Sequence, residues 1–366
     1  VSRRRGPGAT AFFDYFRTAL ARLPAGLIRV GGPADPDDLA RFESALGRAL
    51  PEEYGAFLRS FDGADLFQEM VLIAGVGAGA PLRLPEIAAA GGAPDRLVFA
   101  TGAEDERYVL AGDGRVIRQD AGSEELAVAG SSFGRWLDAT VAAQQVLFGP
   151  DGEFAPDVFE PTGEEVTPLI ALRQAERALK QDPGAAGWAR SQGLALMRLG
   201  RAAAAADALQ SAADLDAGNP WVWFDLGRAR LEAGDGGDAS AAFERGASLE
   251  PGAGGAMLLA WAARARGGAA GRALAEEALR RDPDLAVSLA RAIDTAAAEG
   301  DEPARAETTA LLAAIAPDRL PPARVRLSVL GQAPVRGATS LPRSPAPPRR
   351  PRRAGPRRSA ARPRGR

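Results

Sequence analysis

PWVWFDLGRARLEAGDGGDASAAFERGASLEPGA, residues 220–253, decides how the second half of this chain is read. Trp223, Leu226, Gly227, Ala239 and Phe243 recur at helical spacing, with Gly234 between the two runs and Pro251 closing the stretch. Working outward, four similar helix ends flank the one at Pro251. Residues 178–183 read ALKQDP, 213–217 ADLDA, 247–251 ASLEP, 279–283 LRRDP and 313–317 AAIAP. Their last residues are 34, 34, 32 and 34 positions apart, and Gly193, Gly200, Gly227, Gly234 and Gly300 echo that period. A fixed period of this length with helical patterning predicts a stack of helix pairs.

The pattern resembles the tetratricopeptide repeat. Trp223, Leu226-Gly227, Gly234, Ala239, Phe243 and Pro251 stand where that family has Trp, Leu-Gly, Gly, Ala, Phe and Pro, while Gly246 replaces the usual Ala. The preceding unit keeps Gly193, Gly200, Ala205 and Ala212, with Leu209 for Phe and Ala217 for Pro. Small residues at these points let paired helices approach closely. The third unit is two residues short, which leaves its first helix open.

The first half has a different grammar. Thr10 to Leu23 predicts an amphipathic helix with Phe12, Phe13, Phe16, Leu20 and Leu23 on one face and Pro24 after it. Asp35-Pro36-Asp37-Asp38 predicts a capped helix start, with Leu39, Phe42 and Leu46 buried and Gly47 as the stop. Pro51-Glu52-Glu53 opens a third helix, which buries Tyr54, Phe57, Leu58 and Phe61 and ends at Asp62-Gly63. The period then shortens. Met70 to Ala74 and Leu97 to Thr101 predict strands, and Arg107–Leu110 with Arg115–Arg118 flank the hairpin signal Ala111-Gly-Asp-Gly114. Ser132 caps a helix that carries Phe133, Trp136, Leu137 and Val141.

The expected architecture is therefore an α+β domain over residues 10–150, helices plus a mostly antiparallel sheet, followed by an all-α solenoid over 167–318. Residues 1–9 are expected to be disordered, and the acidic, proline-bearing stretch 151–166 to be a linker. Residues 332–366 form an Arg/Pro-rich tail with no aromatic residue, expected to be disordered.

The run Phe42-Glu43, Leu46-Gly47, Leu50-Pro51-Glu52-Glu53-Tyr54, Phe57-Leu58, Asp62-Gly63-Ala64 resembles the SUKH superfamily, which includes a fungal cell-wall synthesis regulator and bacterial immunity proteins. Asp62 and Ala64 depart from that family's Asn-Gly-Gly turn. Tyr108-Val109-Leu110, Asp113-Gly114, Ser132-Phe133 and Trp136-Leu137 are similar to its second half. The resemblance spans most of residues 30–150 and implies protein binding, because SUKH immunity proteins bind and neutralise toxin domains.

Composition excludes several chemistries. The chain has no cysteine and no histidine, so disulfides, zinc-thiolate sites, cysteine nucleophiles and Ser-His-Asp triads are ruled out. Net charge is −2, yet residues 332–366 hold eleven arginines and no acid, which leaves residues 1–331 at −13. The apolar run Met70 to Leu82 is broken by three glycines and a proline, too short to span a bilayer. Asp14 and Arg17 interrupt what would be a signal peptide's apolar region, and a cytoplasmic protein is expected.

Gly130-Ser-Ser-Phe-Gly134 matches G-x-S-x-G, but no base is available to the serine, and Ser132 is expected to be a helix cap. Gly75-Val-Gly-Ala-Gly79 lacks the spacing and lysine of a phosphate loop and is expected to be a strand end. Glu104, Asp105 and Glu106 form either a solvated loop or an acidic partner-binding patch. The basic tail is either solvated or associates with nucleic acid by neutralising phosphates. No catalytic residue, metal site or cofactor is expected; the chain is expected to be no enzyme.

Projecting the tetratricopeptide groove positions onto the two clearest units gives Arg190, Leu194, Met197 and Arg198, then Trp221, Phe224, Arg228, Leu231 and Glu232. Apolar anchors beside three guanidiniums suit a protein or peptide partner with hydrophobic and acidic side chains. The carboxylate clamp known in that family needs Asn and Lys, which these positions lack. Reversing Arg190 and Arg228 is expected to weaken capture and leave the fold intact. A regulatory scaffold that uses only the repeats is the alternative.

Overall fold

The computed structural model describes residues 13–88, 96–120, 126–161 and 166–320. The segments 1–9 and 332–366, expected to be disordered, lie outside the described residues, as does Phe12.

The first part builds helices α1 (Asp14–Arg22), α2 (Pro36–Leu46), α3 (Glu52–Leu58), α4 (Leu84–Ala88) and α5 (Phe133–Gln144). Its strands are β1 (Ile28–Val30), β2 (Ala64–Leu66), β3 (Val71–Ile73), β4 (Leu97–Gly102), β5 (Arg107–Leu110), β6 (Val116–Gln119) and β7 (Leu126–Gly130). Each strand pairs antiparallel with the next, so the described residues form one seven-stranded meander. Phe16, Tyr54, Phe57, Phe99, Phe133 and Trp136 fill the core with mostly tilted and edge-on contacts, as ring quadrupoles favour, and Tyr54 stacks on Phe57. Tyr54 keeps its hydroxyl satisfied in that core by donating to the Ala74 carbonyl at 2.7 Å.

Local signals place the helix ends. Asp35 accepts from the Asp37 N–H, Pro36 is the first helical residue, and Gly47 closes α2 in the left-handed region. Ser132 accepts from the Arg135 N–H and starts α5. Among the described residues the first helix begins at Asp14; Thr10 to Phe12 lie outside them. Phe13 is its cap residue with φ 69°, and the missing cap acceptor comes from another helix: Asp138 of α5 accepts the Phe16 N–H at 2.9 Å. The Gly75–Gly79 run has a packing reason. The Asp62 carboxylate accepts the N–H groups of Val76 and Gly77, so close that a side chain at either Gly75 or Gly77 would strike it.

The helical part comprises α6 (Pro168–Gln181), α7 (Ala186–Arg198), α8 (Ala202–Leu215), α9 (Pro220–Glu232), α10 (Gly236–Leu249), α11 (Ala253–Arg266), α12 (Gly268–Arg281), α13 (Leu285–Glu299) and α14 (Glu302–Ile315). Close approach explains two of the periodic glycines. A Cβ at Gly193 would sit 2.4 Å from Leu209, and one at Gly227 would sit 2.5 Å from Phe243. The shortened third unit keeps its first helix, α11. The two missing residues come out of the turn, since Gly267 alone separates α11 from α12 and both Gly267 and Gly268 have positive φ. The last pair is packed differently from the others: α14 lies against α11 and α12, and α13 touches them only lightly.

Residues 151–166, expected to be a linker, are pinned where they are described. The Ala155 N–H donates to Leu147, Phe159 bridges to Val166, and Val158 is buried with Leu147 and Ile170. The reason is aromatic: Phe67, Phe148 and Phe154 stack in series and Phe159 meets Phe154 edge-on.

Candidate partner-binding surface

The groove positions read from the sequence lie on α7 and α9, the first helices of two consecutive pairs. Leu194 is the most exposed apolar anchor, at 37%. Met197, Trp221, Phe224 and Leu231 are half-buried, and Glu232 is exposed. Trp221 meets Phe224 edge-on at 6.2 Å, and Phe224 meets Trp261 of α11 at 5.6 Å. The first helices of two successive pairs, α9 and α11, thus share one aromatic row, with Trp261 buried beneath it.

The guanidiniums are not idle. Arg190 donates from Nε to the buried Asp225 carboxylate of α9 at 2.6 Å. It is a strut between α7 and α9. Reversing its charge would set two carboxylates together inside the stack, so the fold would not stay intact as expected. Arg198 donates to Glu160 at 3.1 Å and to the Val166 carbonyl at 3.2 Å, which ties α7 to the segment before α6. Arg228 lies over the rings of Phe224 and Trp261, at 5.9 and 5.8 Å, and reaches Glu307 of α14 at 3.5 Å. The pairs of Arg198 and Arg228 are each about a third exposed or more, so solvent screens them and their net worth is small, ~1 kcal/mol or less.

The second candidate, Glu104, Asp105 and Glu106, forms the loop between β4 and β5. Asp105 adopts φ 62°, and Glu106 turns inward to accept the Glu104 N–H at 2.8 Å. Glu104 and Asp105 remain exposed, and Glu106 is half-buried against Gly102. The three do not converge. Among the described residues no group of three carboxylates is placed to hold a metal ion.

The G-x-S-x-G motif is a joint. Buried Asp182, in the first repeat end, accepts the Ser131 N–H at 2.7 Å and the Ser131 hydroxyl at 2.6 Å. Glu53 of α3 accepts the Gly134 N–H at 2.7 Å. Alongside, Ala139 and Ala143 of α5 bury against Ala178 of α6, α7 packs on the edge strand β7, and the Asn219 amide donates to the Leu126 carbonyl. Helix α5 therefore stands to α6 as the first helix of a pair stands to the second.

Residues 33–139 match the SMI1 / KNR4 family (SUKH-1), and residues 196–262 match a tetratricopeptide repeat. The chain joins a SUKH-1 domain to tetratricopeptide repeats. No curated protein matches it. Among solved structures it is similar to one of MamA, at 18% identity over 42% of this chain and 88% of that one, with a TM-score of 0.31. It is also similar to YrrB, described as a TPR protein with an unusual peptide-binding site, at 18% identity over 41% of this chain and 79% of that one, with a TM-score of 0.30. No helix among the described residues is long and apolar enough to cross a membrane.

Sequence reasoning missed Glu160 and Glu307 beside the groove arginines, and the buried Trp261 and Asp225 beneath the groove. A signal existed for Trp261. It occupies the ninth position of its helix, as Leu194 and Arg228 do of theirs, and was passed over because the unit is short. The three acids gave none, since which carboxylate reaches a groove arginine depends on how the helices stack.

Proposed function

We propose that this protein is a non-enzymatic binder of protein partners, in which the SUKH-1 domain and the repeats form one platform. The row Leu194, Trp221 and Phe224, backed by the buried Trp261, receives a peptide with large apolar and acidic side chains. The observation that carries the reading is that Arg198 and Arg228, at either end of this row, already hold carboxylates of the same chain in partly exposed pairs. A surface that binds Glu160 and Glu307 has the charge to bind a partner's acids, and those exposed pairs exchange readily. An immunity-type role, with the SUKH-1 domain docking on a toxin in the cytoplasm, is the finer form of this proposal.

Peptides displayed on phage and selected on the full chain test it. Enriched sequences should combine aromatic or aliphatic residues with Asp or Glu. Leu194→Glu, a change at an exposed position, should abolish the enrichment while circular dichroism stays that of the parent. Enrichment that survives Leu194→Glu would refute the groove.

A further inference from the structure

Where the SUKH-1 domain meets the repeats, a cleft of about 410 Å3 opens between α1, α5 and α6. Tyr15, Thr18, Ala19 and Arg22 line it from α1, Ala142 from α5, Gln145 and Val146 from the turn after α5, and Arg177 from α6. It exists only because the two modules are joined, and it lies apart from the groove residues on α7 and α9.

Its chemistry is one-sided. Arg22 and Arg177 pair with no carboxylate among the described residues. The Tyr15 hydroxyl donates to Gln145 Oε1 at 2.9 Å, and among the described residues the Gln145 amide protons have no partner. The Asp138 carboxylate, which acts on Tyr15, is engaged by the Phe16 N–H. Burial pushes Asp138 up to about 6. Ala19, Ala142, Val146 and the arginine stems supply an apolar wall. The volume falls within the range of small-molecule sites, about 300–1,000 Å3.

We propose that this cleft binds a small organic anion, with its carboxylate or phosphate on Arg22 and Arg177 and its apolar body against Ala19, Ala142 and Val146. Arginine suits both headgroups because its planar fork donates two parallel hydrogen bonds. Since the walls come from both modules, an occupant should strengthen the joint and raise the stability of the whole chain.

The test uses the full chain with benzoate and phenyl phosphate as probes, inorganic phosphate as the headgroup alone, and sodium chloride at matched ionic strength. Thermal unfolding and the Gln145 side-chain amide signals in 1H–15N spectra are read together. The expected result is a saturable rise in Tm and a saturable Gln145 shift with benzoate or phenyl phosphate, and the arm that binds more tightly names the headgroup. Inorganic phosphate should bind more weakly and chloride should not saturate. Arg22→Gln and Arg177→Gln should each lower affinity about tenfold or more, the loss of a charged hydrogen-bonding partner, and leave the ligand-free Tm unchanged, because both arginines are exposed. No saturation by either organic probe up to about 10 mM, where a site with a Kd of about 1 mM would fill, overturns the proposal. So does saturation that persists in the Arg22→Gln, Arg177→Gln double variant.

Discussion

Replacing Asp182 by alanine should loosen the joint between the two modules and cost about 2–4 kcal/mol. Asp182 is fully buried and accepts three hydrogen bonds, from the Ser131 N–H at 2.7 Å, the Ser131 hydroxyl at 2.6 Å and the Gly184 N–H at 3.1 Å. Hydrogen bonds to a charged group contribute about 1.5–3 kcal/mol each, and the Ser131 N–H would be left without its acceptor. Against this, the variant no longer buries a carboxylate, which returns part of the loss. Ser131→Ala removes only the hydroxyl bond and should cost about 1 kcal/mol. The two substitutions should be non-additive, with a coupling of about 1 kcal/mol, because both remove the same contact. The assay is equilibrium unfolding in urea followed by two probes. Helical circular dichroism is dominated by the repeats, and the fluorescence of Trp136, retained as the sole tryptophan by replacing the four in the repeats with phenylalanine, reports on the SUKH-1 core. In this reporter background the probes should coincide while Asp182 is present and separate once it is alanine, since the interface carries the cooperativity. A loss under about 0.5 kcal/mol with coincident probes would refute the assignment of Asp182 as the joint.

Three further outcomes are expected. Gly227→Ala should cost about 1–3 kcal/mol by overpacking, because the new methyl would lie 2.5 Å from Phe243, whereas Gly218→Ala meets nothing within 4 Å and should be nearly neutral in the same denaturation assay. Arg190→Glu should destabilise by about 2–4 kcal/mol by facing Asp225 with a second carboxylate, and the further change Asp225→Arg should recover part of it. Asp138 is raised to about 6 by burial, from about 4 in an unfolded chain. The folded protein therefore favours the protonated form, and the resulting penalty is absent below about pH 4 and complete above about pH 6. Asp138→Asn keeps an acceptor for the Phe16 N–H without the charge, so between pH 4 and 7 the stability balance should swing toward the variant by about 1–2 kcal/mol, measured by urea unfolding at each pH; a pH-independent difference would contradict the assigned shift.

What the sequence made legible were features whose cause is local. Asp35, Pro36 and Gly47 bound α2 through their own conformational preferences, and the 34-residue period needs only that each helix pair resemble the next. Three strands escaped for physical reasons. Strands β1 and β2 are three residues long, and β2 carries a buried carboxylate, Asp65, that pairs with Arg29 across the ladder and breaks the apolar pattern. Strand β7, Leu-Ala-Val-Ala-Gly, has only one β-branched residue and is held as an edge strand by the helix α7 laid against it. The stretch 151–166 resembled a linker because its prolines and acids outnumber its aromatics, yet two phenylalanines stacked toward Phe148 suffice to pin it. At the groove, the period assigned Arg190, Leu194, Arg198 and Arg228 to the first helices of their pairs, but not what each guanidinium meets. Asp225 is 35 residues from Arg190 and Glu307 is 79 from Arg228, distances that only the stacked helices bring to a few ångströms.

If a partner polypeptide sits on the row that begins at Leu194, a photo-crosslinking phenylalanine analogue at that position, in the full chain inside its native cell, should capture it. A matched substitution at Ala204, exposed on α8, is the comparison. After irradiation, the crosslinked peptides are sequenced by mass spectrometry. Adducts are expected at position 194 and none at 204, with the captured peptide carrying Asp or Glu next to large apolar residues. Adducts at 204 alone, or at 194 only with peptides that lack acidic residues, would contradict that placement.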